Sequence, residues 1–269
     1  MLEDQFSVSE RRACRAIGQS RSTQRRAAPV PPDEEQVLRA RLRDLARSHP
    51  RYGYRRMTTI LRREGFCVNH KRIQRLCRDE GLRVIRRPKK RSRVGISTIN
   101  GTRLGATRPD QVWALDFQFD QTRDLRTLKI LNVTDEFTKE ALAIDIRRSI
   151  TADDTVEVLE ALVRARGRAP EFLRMDNGPE LTANALRDWC RFSDAGTAYI
   201  EPGSPWENPF VESFNGKLRD ELLAMEIFET VTEARVLAEE FKIEYNTFRP
   251  HSALGQRTPA EFAKLWADT

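Results

Sequence analysis

Apolar and polar residues alternate with a period of two from Val112 to Phe119, which predicts a strand. Trp113, Leu115, Phe117 and Phe119 fall on one face; Val112, Ala114, Asp116 and Gln118 fall on the other. Short apolar runs at Leu128 to Val133 and Ala141 to Ile146, bounded by polar turns, predict two more strands, giving three successive antiparallel strands. The spacing then changes to that of a helix. Thr151 is placed to cap it, Val156, Leu159, Leu162 and Val163 share a side, and Gly167 ends it. A fourth strand, Glu171 to Met175, runs into Asp176-Asn177-Gly178, a turn sequence. Further on, Asn208-Pro209 suits the start of a helix. In that helix Phe210, Val211, Phe214, Leu218 and Leu222 form an apolar arc, while Glu212, Asn215 and Arg219 lie on another side. The order β, β, β, α, β, α, β, α, α predicts an α/β fold, a mixed sheet with helices on its faces.

The first hundred residues carry only helical periodicity. Ser9 can cap a short helix that Gly18 ends, and Ser20 can open a second one bearing Arg21, Gln24, Arg25 and Arg26, the outline of a small helix-turn-helix over residues 1–28. Ala27 to Pro32 is a stiff spacer. Asp33-Glu34-Glu35 sits at the acidic start of a helix with a stripe of Val37, Leu38, Leu42 and Leu45. Tyr52 to Gly65 reads as a turn and helix. Asn69 caps another helix, with Ile73, Leu76 and Cys77 inward and Lys71, Arg72, Arg75 and Arg78 outward. Residues 33–82 thus form a second helical unit that again ends in a basic helix. Residues 83–108, with Arg86-Arg87-Pro88-Lys89-Lys90-Arg91, read as a basic linker following a phosphate backbone, and 109–269 as the α/β domain.

Charge sharpens this division. The net charge is +7, yet residues 1–108 carry 28 basic and 10 acidic groups against 19 and 30 in 109–269. A lopsided basic front points to a polyanionic partner, DNA or RNA, rather than to an evenly solvated surface. No run reaches the roughly 18 apolar residues of a membrane span, and Met1 to Gln5 lacks the pattern of a secretory signal, so a cytoplasmic protein is expected. The four cysteines, Cys14, Cys67, Cys77 and Cys190, form no C-x-x-C pair and are expected as reduced thiols. A zinc site from Cys67, His70 and Cys77 with His49 is the sharper alternative. The helical spacing of Ile73, Leu76 and Cys77 argues against it by putting Cys77 in a buried stripe.

Three carboxylates carry the candidate chemistry. Taken singly, Asp116 reads as a strand residue in solvent, Asp176 as part of a turn, and Glu212 as an exposed helix residue. Brought together they define a site: hard divalent cations take oxygen ligands, and two such ions about 4 Å apart can serve in-line displacement at phosphorus. Such a site needs no serine, cysteine or histidine nucleophile. Mutual repulsion among the carboxylates would favour cation binding, which weakens as they protonate.

Arg108-Pro109-Asp110-Gln111-Val112-Trp113-Ala114-Leu115-Asp116-Phe117, then Met175-Asp176-Asn177-Gly178-Pro179-Glu180, then Ser204 to Arg219 around Glu212, together resemble the DDE transposases of the insertion sequence 3 family. The chain is similar to the product of that family's second reading frame, whose catalytic core is retroviral-integrase-like with a ribonuclease H fold. The 35 residues between Asp176 and Glu212 match the family spacing, and Arg219 falls where the family keeps a basic residue. Arg51-Tyr52-Gly53-Tyr54-Arg55-Arg56 and Tyr245 to Gly255, followed by the capping box Thr258-Pro259-Ala260-Glu261, extend the likeness over nearly the whole chain. One departure is Pro209, where a small residue such as Gly or Ala is usual; proline suits a helix start.

The resemblance implies that Asp116, Asp176 and Glu212 are catalytic ligands of Mg2+ or Mn2+, two ions per site. Arg219, Lys217 and Asn215 would contact DNA near the reacting bond, and Arg21, Arg25, Arg72, Arg75, Arg86, Arg87, Lys89 and Lys90 would hold it elsewhere. Glu180 and Asp135 are expected to be structural, and His251 to stabilise a turn. The implied partners are the element's terminal inverted repeats, target DNA, a second copy of the chain, and the product of an upstream reading frame by fusion or association. A plain metal-dependent nuclease on the same fold and a catalytically inert DNA-binding regulator are the alternatives.

Overall fold

A computed structural model describes residues 8–24, 33–82, 84, 105–175, 184–193, 195–199 and 209–266. The chain divides into two compact units, residues 1–45 and 46–269. In the first, helix α1 (Glu10–Ala16) follows an extended Ser9, buries Ala13 and Cys14, and is followed by Gly18 in the left-handed conformation. The short α2 (Arg21–Gln24) returns Arg21 toward Glu10, 3.4 Å away. Helix α3 (Asp33–Ser48) begins with three acidic residues, which favour the positive end of the helix dipole. It buries Leu38, Leu42 and Leu45, whereas Val37, expected in the same stripe, is exposed.

The second unit opens with two helices, α4 (Tyr54–Arg63) and α5 (His70–Asp79). The Asn69 side chain caps α5 by accepting from the Lys71 amide at 3.1 Å. Met57, Ile60 and Leu61 of α4 are buried, as are Ile73, Leu76 and Cys77 of α5. The Cys77 sulfur lies 3.8 Å from that of Met57, and burial raises its thiol pKa to about 11. His49 stacks on Tyr52 and faces Glu244 at 3.2 Å, so neither Cys77 nor His49 is arranged as a zinc ligand.

The sheet has five strands: β1 (Val112–Gln121), β2 (Thr127–Asp135), β3 (Ala141–Arg147), β4 (Phe172–Met175) and β5 (Gly196–Tyr199), in the order β3-β2-β1-β4-β5. The first three are antiparallel neighbours, and β4 and β5 run parallel to β1. Helix α6 (Ala152–Arg166) joins β3 to β4. It starts at a capping box of Thr151 with Asp154 and ends at left-handed Gly167, φ 71°. Helix α7 (Asn184–Phe192) precedes β5.

Two apolar cores flank the sheet, as its period of two requires. Trp113 and Leu115 of β1, Leu131 and Val133 of β2, and Leu173 and Met175 of β4 pack with Leu159, Leu186 and Trp189 of α6 and α7. On the opposite face Leu128, Ile130 and Ile146 pack with Phe214 and Leu218 of α8 (Pro209–Leu218) and with Ala234, Ala238 and Tyr245 of α9 (Val231–Thr247). Burying each large aliphatic side chain contributes about 1.5–3 kcal/mol, so these two layers fix where the sheet's remaining polar residues must sit. One π-helical turn, Arg219–Leu223, extends α8. The last helix, α10 (Pro259–Lys264), carries the predicted capping box of Thr258 with Glu261.

A buried polar cluster joins the front helices of this unit to its core. Glu221 of the π-helical turn accepts from Arg249 at 2.7 and 2.5 Å and from Arg56 of α4 at 3.4 Å. The Tyr52 hydroxyl donates to Glu244 of α9 at 3.0 Å. Arg249 is 2% exposed.

Candidate active site

Asp116 lies in the middle of β1 on the face that meets α8. Taken singly in the sequence it reads as a strand residue in solvent, but in the structure it is partly buried. Its neighbours are polar: Asn132 stands opposite it on β2, and Asn215 reaches it from α8. The Asn215 amide donates to Asp116 Oδ2 at 2.7 Å, and Asp116 Oδ1 accepts from the Phe117 backbone amide at 2.9 Å. Asn132 in turn donates to Asn215 Oδ1 at 2.7 Å, which fixes the orientation of the Asn215 amide. These bonds stabilise a carboxylate that would otherwise be costly on a covered sheet.

Glu212 is in the first turn of α8, three residues before Asn215 and seven before Arg219. At 3.6 residues per turn these three share a side, with Glu212 and Asn215 about 5–6 Å apart at their Cβ atoms. Val211, Phe214 and Leu218, on the other side, are buried and set the rotation of the helix. Glu212 is exposed, and partial burial raises its pKa from the ordinary carboxylate value. Arg219 is exposed and donates to the Phe119 carbonyl at 2.8 Å; its guanidinium also meets the Gln118 amide at 3.2 Å. Arg219 therefore ties the end of α8 to β1, on the same side as Asp116 and Glu212.

Lys217 is placed differently from its expected role beside the reacting bond. It lies five residues after Glu212, well round the helix, and its ammonium contacts the Ser213 hydroxyl at 3.0 Å and faces the Tyr245 ring at 5.8 Å. Burial, and then nearby Arg249, lower its pKa to about 8. Asn215, also expected to touch DNA, is the group that holds Asp116. Asp135 is structural: it is buried and accepts from the Phe137 and Asp110 amides and from the Thr138 hydroxyl. His251 is buried in the turn before α10, where its backbone amide pairs with the Arg257 carbonyl at 3.0 Å.

Asp176, Glu180, Asn208, Arg25, Arg86, Arg87, Lys89 and Lys90 lie outside the described residues. Arg21 and Arg75 are exposed and Arg72 partly so. Among the described residues no three His, Cys, Asp or Glu side chains gather as a metal site. Asp116 of β1 and Glu212 of α8, linked through Asn215 one turn along the helix, offer carboxylate oxygens as donors. That donor chemistry fits a hard divalent cation. No helix of the described residues is long and apolar enough to cross a membrane.

Comparison with known proteins agrees with this arrangement. Residues 32–90 match an HTH-like domain, and residues 106–205 and 193–259 match integrase core domains. In fold, the chain is similar to a chain of the simian T-cell lymphotropic virus intasome in complex with PP2A regulatory subunit B56 gamma. The TM-score is 0.51 and identity 16%, covering 59% of this chain and 55% of the other. The fold and domains define an integrase-core recombinase preceded by an HTH-like helical region. Among its relatives, the uncharacterized 31.7 kDa protein of insertion element IS407 of Burkholderia multivorans is 42% identical over 262 residues, 97% of this chain and 93% of that protein. Transposase InsD of the Escherichia coli insertion element IS2 is 31% identical over 251 residues, 86% of this chain and 79% of the relative. The chain belongs to the insertion sequence 3 family of DDE transposases.

Proposed function

We propose that Asp116, Asp176 and Glu212 form one catalytic site that cuts the ends of an insertion element and joins them to new DNA. The observation that carries this reading is the bond from Asn215 to Asp116, because it ties the strand bearing one carboxylate to the helix bearing another, one turn from Glu212. Strand register supports the third member. Val112 pairs with Phe172 and Ala114 with Arg174 in parallel strands, so β4 runs alongside the half of β1 that carries Asp116 and ends at Met175, the residue before Asp176 in the sequence.

The three carboxylates would hold Mg2+ or Mn2+, two ions per site. When bound, such ions supply activation of the attacking oxygen and charge stabilisation of the leaving one at phosphorus. Asn215, with Asn132 behind it, orients the Asp116 carboxylate. Arg219 holds the far end of α8 against β1, and its remaining N–H groups face solvent, where a DNA phosphate would approach. Water and then a 3′-hydroxyl serve as successive nucleophiles, so no covalent protein intermediate forms. The basic front helices, with Arg21, Arg72 and Arg75, supply most of the affinity for the element's terminal repeats, while the acidic core adds local contacts. Joining two ends calls for at least two copies on DNA, and association or fusion with an upstream reading-frame product would add further DNA binding.

Incubation of the full chain with labelled element ends and Mg2+ tests this. Joined products that vanish in Asp116→Asn, with DNA binding retained, are expected. Cleavage without joining would identify a nuclease, and no reaction by the wild-type chain would leave a DNA-binding regulator.

A further inference from the structure

The segment Arg51-Tyr52-Gly53-Tyr54-Arg55-Arg56 faces two ways. Tyr52 and Arg56 turn inward to Glu244 and Glu221. Arg51, Tyr54 and Arg55, with part of Arg56, line a cleft of about 720 Å3 with Arg78 at the end of α5 and with the turn that carries Ser252 and Gln256. Among the described residues, no acidic side chain lines it. Arg55 is exposed and braced by the Tyr54 hydroxyl at 3.3 Å. Arg78 is exposed, and among the described residues neither it nor Arg55 has a carboxylate partner. Arg51 is anchored on Asp220, through the backbone carbonyl at 3.2 Å and the carboxylate at 3.6 Å.

We infer that this cleft binds the phosphodiester backbone of DNA, with Arg55 and Arg78 each taking a phosphate. Two exposed guanidiniums without carboxylates across a recess are matched by a repeating anion: each offers a fork of donors suited to phosphate oxygens. Asp220, which anchors Arg51 of this cleft, lies eight residues beyond Glu212, about 12 Å along the helix at 1.5 Å per residue. The inference rests on the reading of Asp116, Asp176 and Glu212 as the reacting site and adds a contact surface built jointly by α4, α5 and the turn before α10.

The test is equilibrium binding of the full chain to a short fluorescein-labelled DNA duplex of arbitrary sequence across a series of salt concentrations, since phosphate contacts carry no sequence information. Each phosphate contact adds about 0.9 to the slope of log affinity against log salt. Arg55→Gln with Arg78→Gln is expected to lower that slope by about two while leaving thermal unfolding unchanged, and Arg→Lys at both positions to restore it. Arg187→Gln with Arg191→Gln on α7 removes the same charge elsewhere and is expected to change the slope little. An unchanged slope in the cleft variant, or an equal fall in the α7 variant, overturns the inference. So does competition by inorganic phosphate at matched phosphate concentration, which would mark a small-anion pocket. Absence of duplex binding by the wild-type chain would instead count against the transposase reading itself.

Discussion

Asn215 donates its side-chain amide to the Asp116 carboxylate at 2.7 Å, across 99 residues of sequence. The bond couples the orientation of one proposed ligand to the helix that carries another. Groups that orient metal ligands typically matter about 10- to 100-fold for affinity or activity. Asn215→Ala should therefore reduce strand joining by roughly that factor with little change in duplex binding. Asn215→Asp sets a like charge against Asp116 and should lose more at low metal concentration, with partial recovery as metal is raised. Joining rates measured against Mg2+ concentration check both.

The Glu221–Arg249 pair should be the most sensitive polar contact in the second unit. Arg249 is 2% exposed, and Glu221 also accepts from Arg56. Removing one partner of a buried pair leaves the other charge uncompensated, at a cost of about 3–5 kcal/mol. Glu221→Gln should lower the urea midpoint sharply, while Glu221→Leu with Arg249→Met should lose less than Glu221→Gln alone. A midpoint unchanged in Glu221→Gln would show that solvent screens the pair.

His251 should make the fold acid-sensitive. Burial, and then nearby Arg249 and Lys217, lower its pKa from 6.5 to about 3. The unfolded chain therefore takes up a proton that the folded chain refuses. Its contribution to stability is fully present above about pH 6.5 and is lost as pH falls toward 3. Between pH 7 and pH 4 this is worth up to roughly 3 kcal/mol. His251→Gln should flatten the dependence of unfolding free energy on pH across that window, whatever its effect on stability at pH 7. An equal slope in the two proteins would contradict this.

Much of this fold is written in local sequence. The period of two in β1, the cap at Thr151, the Thr258 capping box and the helix end at Gly167 each depend on residues within a few positions, and the local spacing shows each of them; the return bond from Asp154 that completes a capping box at Thr151 is visible only in the structure. The side of α8 shared by Glu212, Asn215 and Arg219 was equally legible, because helical period alone fixes it. What Asn215 does on that side was not. Its partners Asp116 and Asn132 lie 99 and 83 residues away, and nothing local distinguishes an amide that orients a carboxylate from one that meets DNA. Lys217, two residues before Arg219, lies well round the helix from it, an offset that helical period alone contains. The double-faced Arg51 to Arg56 segment had a signal in its alternating aromatic and basic residues, but its acidic partners Glu221 and Glu244 come from helices more than 160 residues on.

The central claim, that residues 116, 176 and 212 serve one metal site, is tested most directly by Mn2+ binding to the DNA-bound chain, followed by electron paramagnetic resonance. Asp116→Asn, Asp176→Asn and Glu212→Gln should each weaken the same bound-metal signal. Any one of the three binding Mn2+ as tightly as the wild-type chain would contradict it.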